Sequence, residues 1–256
     1  MIELPYTDFH CVKHLFKDET PHLAVVMAVI EGNNPGHIWV NALNKVNYCL
    51  VRAAGGYSFI GHLDLPSQQQ LTAILTILQQ HRPVKLIQSD SLFATEIFEN
   101  AGFVSINRIQ FIFPPDNIRH LDKICATLPA HCQIKAIDAA LLRKSNWLEY
   151  IRLFYGSEQA FLQSGFGFAL LKDNEIISEA ITCFTGNHRV ETGSVTAETQ
   201  RCNGYATIVR AFLMKEILRR GLMPISSCNE DNSASAIVSK KLGFQEDRRY
   251  RFRMLK

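Results

Sequence analysis

Arg201, Gly204 and Ala206 stand as R-x-x-G-x-A where an apolar run gives way to a polar loop and then to a helical pattern. The spacing predicts a strand over 190–196, a loop over 197–204 and a helix from Tyr205. A strand that runs through such a loop into a helix presents unpaired backbone N–H groups and the positive end of the helix dipole. That chemistry suits a pyrophosphate. Gly204 lets the backbone approach the ligand, and Ala206 keeps the first turn free of bulk. The loop lacks the glycines of a dinucleotide fingerprint and the lysine of a G-x-x-x-x-G-K phosphate loop. Cys202, inside it, is read as a tolerated loop residue and not as a nucleophile. A second cluster follows, in which Asn232, Ser235, Leu242, Gly243 and Phe244 form N-x-x-S-x-x-x-x-x-x-L-G-F. Its Gly243 lies 42 residues after Arg201.

A sheet and several helices must position these residues. Residues 131–255 read as β-α-α-β-β-β-α-β-α-β. The order begins with a strand over 132–137, a helix over 141–155 and a short helix capped by Ser157. A hairpin of 167–171 and 175–184 turns at Lys172-Asp173-Asn174. After 190–196 and the loop, the helix runs to Arg220, where Gly221 and Pro224 supply stop chemistry. A strand over 224–228, a helix over 233–242 and a strand over 244–255 complete the order. Upstream, helical spacing covers 8–17 and 23–31, and strands are expected over 37–42, 47–53 and 57–63. Ser67 caps a helix to His81, followed by a strand over 84–88, a helix over 92–101 and a strand over 103–113. Residues 114–130 read as a linker with a helical turn or two.

The chain repeats itself. The pattern of 71–83 returns in 212–224, Gly102-Phe103 returns as Gly243-Phe244, and 107–111 returns as 248–252, each 141 residues on. At that offset Arg201, Gly204 and Ala206 fall on Ile60, Leu63 and Leu65, so the N-terminal half is expected to lack a phosphate cradle.

Composition narrows the function classes. The chain has 256 residues, 47% hydrophobic and 20% charged, as in ordinary soluble proteins. A formal charge of +3 gives no argument for nucleic acid, and the arginines at 248, 249, 251 and 253 alternate as one solvated strand face would. The seven cysteines form no C-x-x-C, and no metal-ligand spacing links them to the nine histidines, so no metal is expected. The first residues lack a basic n-region and an apolar h-region, and no apolar run is long enough for a membrane. A reduced, cytoplasmic protein is the expectation.

With both clusters at this separation and in this element order, residues 131–256 resemble the GNAT superfamily of acyl-CoA-dependent N-acyltransferases. The stretches 157–167 and 174–178 are further similar to the branch that includes the zwittermicin-resistance acetyltransferase. The resemblance and the repeat imply an α/β (α+β) fold of two tandem GNAT-like units, with mixed, mostly antiparallel sheets flanked by helices. A degenerate unit is expected over 1–115 and a catalytic one over 131–256. The resemblance implies acetyl-CoA as co-substrate, with Ser194, Val195 and Thr196 on a strand splayed from its neighbour, where free backbone groups pair with pantetheine and polarise the thioester. Arg201, Cys202, Asn203, Gly204, Tyr205 and Ala206 would act mainly through backbone N–H groups, with Thr207, Asn229, Asn232 and Ser235 as further contacts.

An ammonium acceptor must lose a proton before it attacks a thioester. Glu191 stands where many relatives carry that base, and His188 is a second candidate. Where many relatives carry a Tyr that protonates the leaving thiolate, this chain has Ser239, a far weaker acid. The expected acceptor is a primary amine of a small molecule. A non-catalytic acyl-CoA sensor and an acyltransferase for a bulkier acyl group are the alternatives. The repeat also predicts a monomer whose N-terminal half partly roofs the acceptor site.

Overall fold

The alternating and 3.6-residue patterns of the sequence become strands and helices in the computed structural model, which describes residues 1–88, 92 and 96–256. Met1–Arg108 together with Tyr250–Lys256 form one unit, and Ile109–Arg249 form the second. Unit 1 contains strands β1 (Ile2–Glu3), β2 (Gly36–Val40), β3 (Tyr48–Ala53), β4 (Tyr57–His62) and β5 (Val84–Ile87), with helices α1 (Leu23–Ile30), α2 (Gln68–Gln80) and α3 (Ile97–Asn100). The pairs β1–β2, β2–β3 and β3–β4 are antiparallel, whereas β4 and β5 run parallel. Every residue of α1 is buried, as its unbroken apolar sequence requires. The stripe Leu71, Ile74 and Leu78 of α2 packs on Leu50, Ile60 and Leu86. Ser67 makes a full capping box with Gln70. Part of the helix expected over 92–101 lies outside the described residues.

The chain crosses into unit 2 inside β6 (Val104–Ile112) and returns inside β12 (Gln245–Leu255). Unit 2 holds α4 (Ile118–Cys125), β7 (Cys132–Ala136), α5 (Ala139–Leu142), α6 (Leu148–Tyr155), α7 (Glu158–Ser164), β8 (Gly167–Lys172), β9 (Glu175–Gly186), β10 (Arg189–Thr196), α8 (Tyr205–Arg219), β11 (Met223–Asn229) and α9 (Ser233–Lys241). Its strands pair in the order β11-β10-β9-β8-β7, with β10–β11 parallel and the others antiparallel. The fold is therefore mixed α/β, a mixed sheet flanked by helices.

Three expectations change. The segment 114–130 is no linker, because α4 packs Leu121 against Met214 of α8 and Phe244. The helix expected over 141–155 is two helices, broken where Ser145 Oγ and the Asn146 N–H donate to the buried Glu179 carboxylate at 2.6 and 2.8 Å. Those bonds take groups that a continuous helix would have used. The repeat offset of 141 also slips upstream of Pro83. The caps Ser67 and Gly204 lie 137 apart, so Gly204 corresponds to Ser67 and not to Leu63, while Ile60 lies within β4.

Candidate active site

The parallel ladder of β10 and β11 runs from Arg189↔Met223 to Glu191↔Ile225 and, among the described residues, goes no further. On its other edge β10 stays paired to β9 as far as Thr196↔Ser178. The Ser178 hydroxyl donates to Val195 O at 3.1 Å and lies 2.8 Å from Thr196 Oγ1, which fixes the strand end. The expected splay is thus present from Thr192 onward.

The loop then turns sharply. A 3-10 turn at Glu198–Gln200 leads to Cys202 at φ 65° and Gly204 at φ 80°. The Asn203 side chain donates to Gln200 O and Arg201 O, each at 3.2 Å, and ties the loop to itself. Gly204 offers α8 only its carbonyl, which accepts from Thr207 and Ile208, and no side chain caps the helix. The first turn carries no acidic residue. The positive end of α8 is therefore open. A Cβ on Gly204 would meet nothing within 4 Å, so packing does not demand glycine there. Its left-handed backbone does, and the space in front is left for a ligand.

This loop, the free part of β10 and the facing side of α9 enclose a cleft of about 510 Å³. Of the residues expected to bind a cofactor, Ser194, Thr196, Arg201, Cys202, Gly204, Tyr205, Ala206, Thr207, Asn232 and Ser235 line it. Asn232 also caps α9, its side chain accepting from Ser235 N at 3.1 Å. Val195, Asn203 and Asn229 do not line it. Val195 offers its carbonyl to Ser178, and the Asn229 carbonyl accepts from Asn232 N at 3.0 Å in the turn before α9. Asn203 instead borders a second cleft, beside His120 and Lys123 of α4 and Lys241.

Glu191 is 9% exposed, and its carboxylate accepts from Ser227 Oγ at 2.7 Å. Two residues on, a Cβ at Gly193 would lie 2.3 Å from the Trp147 ring, so the strand passes this tryptophan at closest approach. Ser239 falls elsewhere than the thiolate-protonating role requires. It is fully buried, its hydroxyl 3.1 Å from Ser226 Oγ, and turned to β11 instead of the cleft. His188 sits exposed in the Asn187–His188 turn, away from the cleft.

The sequence reading missed Arg210 and Lys241, both of which line the cleft. Arg210 is 3% exposed, and its guanidinium donates to Thr192 Oγ1 and Ser226 Oγ at 3.1 Å each. Among the described residues its Nε has no hydrogen-bond partner. Burial pulls this guanidinium down to about 10, opposed by the Glu191 carboxylate, so it is a cation at neutral pH. The signal was helical spacing, since positions 206, 207 and 210 share one face of α8. An uncapped helix, a left-handed glycine with open space before it and a buried cation fit a phosphorylated thioester donor.

A parallel strand pair that parts beside an open helix N-terminus is the arrangement that the resemblance to the acyltransferases implies. The model of the GNAT acetyltransferase family matches residues 13–252, and the chain belongs to that family. It is 29% identical over 142 residues to the uncharacterized N-acetyltransferase YdfB of Bacillus subtilis, covering 55% of this chain and 53% of the relative. The chain thus spans about half the length of the curated relative it matches. A GCN5-related N-acetyltransferase-like protein from Streptococcus suis has the same fold, with a TM-score of 0.77 at 22% identity over 98% of this chain and 100% of the other. A tandem GNAT protein from the clavulanic acid biosynthesis pathway, solved without acetyl-CoA, gives 0.70 at 14% identity over 99% and 97%.

Proposed function

We propose that the protein is an N-acetyltransferase that moves an acetyl group from acetyl-CoA to a primary amine of a small molecule, by direct attack in a ternary complex. The observation that carries this reading is the cleft where β10 parts from β11 at the uncapped start of α8. The N–H groups around Gly204 would hold the pyrophosphate, with Arg201 at the rim. His120, Lys123 and Lys241 around the adjoining cleft suit a further phosphate at the nucleotide end. Backbone groups of Ser194 and Thr196 on the side facing the cleft would pair with the pantetheine amides and polarise the thioester carbonyl.

Acetyl-CoA supplies the activated acyl group. Glu191 takes the proton of the ammonium acceptor, directly or through water. The amine nitrogen then bonds to the carbonyl carbon, the C–S bond breaks, and the nitrogen gives its second proton to water. Because Ser239 is sealed behind β11, the thiolate leaves unaided or takes its proton from water, which a thiol pKa of about 8.5 allows. That same sealing favours the second reading, a sensor that binds acyl-CoA without turnover.

Thiol release from acetyl-CoA with a panel of amines, amino acids and aminoglycosides separates the two. Glu191→Gln should lower kcat by about 10²–10⁴-fold with coenzyme A affinity kept. An unchanged rate would remove Glu191 as the base. Tight coenzyme A binding with no turnover of any acceptor by the parent protein would favour the sensor.

A further inference from the structure

Unit 1 holds a second parallel pair, whose ladder ends, among the described residues, with β5 itself. The β4–β5 ladder runs from Tyr57↔Lys85 to Phe59↔Ile87, and a pocket of about 300 Å³ lies beside its end. Leu15, Phe16, Phe59 and Ile87 give it apolar walls. The covering segment sits close because Gly61 has no side chain, and a Cβ there would come within 2.7 Å of the Phe16 ring.

Gln88 lines this pocket at 6% exposure, and among the described residues neither its Nε2 nor its Oε1 has a hydrogen-bond partner. A buried carboxamide with both ends unpaired is costly, and native structures rarely keep one without something to fill the role of partner. Gln88 offers a donor and an acceptor side by side, which complements a group presenting an acceptor and a donor in the same way.

The ligand should be uncharged. The Ser67–Gln70 capping box occupies backbone N–H groups at the start of α2, the position where α8 is open. Burial also lowers the pKa of His62, which lines the pocket, and favours its neutral form. The charged Lys17 and Glu19 are exposed at the rim, one of each sign.

We propose that unit 1 carries a ligand site of its own, in which the Gln88 carboxamide pairs with the amide edge of a neutral, otherwise apolar small molecule such as a primary carboxamide or a lactam. It is separate from the acyl-CoA cleft.

Benzamide is a suitable probe for the full chain, with ethylbenzene and benzoate beside it. The readout is the ¹⁵N-resolved side-chain amide signal of Gln88, assigned by its loss in Gln88→Met. Benzamide should shift that signal saturably. Gln88→Met, close to glutamine in size, should weaken benzamide about tenfold while ethylbenzene binds as before. Unchanged hydrogen-exchange protection of the Val84–Ile87 amides in the variant verifies that unit 1 is folded. The proposal is overturned if benzamide gives no saturable shift, as a pocket filled by water would. Equal effects of the substitution on benzamide and ethylbenzene, or benzoate binding as tightly as benzamide, overturn it too. Should Gln88→Met not fold, Gln88→Glu replaces the donor with a second acceptor and should lose the preference for benzamide over ethylbenzene.

Discussion

Arg210 joins the two faces of β10 electrostatically. Its guanidinium holds Thr192 and Ser226, and the Glu191 carboxylate is the largest of the charges that favour its cationic form. The influence is mutual, since a nearby cation eases ionisation of a carboxylate. On the proposed mechanism, loss of this cation disfavours the charged form of the Glu191 carboxylate, so Arg210→Met should move the acid limb of the kcat/KM–pH profile to higher pH as well as lowering the rate. A lower rate with an unmoved limb would assign Arg210 to packing alone. The sequence disclosed the loop better than this arginine. R-x-x-G-x-A reports a backbone conformation, and Gly204 at φ 80° is the kind of residue whose identity follows from its dihedral. Arg210 sits among Val209, Ala211 and Leu213, all buried, and a lone arginine in such a run forms no motif that marks it. Ser239 was placed by analogy of position, and only the packing of α9 on β11 reveals that it bonds to Ser226.

At the scale of elements, α4 was the hardest to read. Two prolines precede it, its mean hydropathy is low, and its apolar stripe is short: Ile118, Leu121, Ile124 and Cys125. Its stability comes from the partner surface of α8, a tertiary contribution that local sequence does not carry. Leu121 is fully buried against Met214, Leu242 and Phe244, and Lys215 pairs with Asp122 at 2.5 Å. Leu121→Ala should cost about 2–5 kcal/mol in chemical denaturation. Because His120 and Lys123 border the cleft next to Gly204, coenzyme A affinity should also fall. A loss below about 0.5 kcal/mol with unchanged affinity would mean that α4 is not integral to the unit. Elsewhere local signals sufficed. The Ser67 cap and the Asp173-Asn174 turn stand where the sequence put them.

At the scale of the molecule, the last seven residues are the informative ones. The expected division, 1–115 and 131–256, follows the order of the chain, whereas Tyr250–Lys256 belongs with unit 1. Residues Arg253–Leu255 pair antiparallel with β5 at Leu86–Val84. Leu255 joins the core around Leu71 and Phe98, and Arg253, fully buried, is 3.0 Å from Glu99. A strand read from sequence gives no sign of which sheet receives its far end, because alternation is satisfied in either. A chain ending after Arg249 should therefore lose stability in unit 1, where the Phe252 and Leu255 side chains alone account for roughly 3–6 kcal/mol of burial. Hydrogen exchange reads this by segment. Amides of Val84–Ile87 should lose protection, their strand having become an edge, while those of β10 and α8 keep theirs. Coenzyme A, for which the proposed site is the cleft of unit 2, should bind the shortened chain as before. Equal loss of protection in α8 would mean instead that the two units unfold as one, and the assignment of Tyr250–Lys256 to unit 1 would then carry no separate energetic meaning.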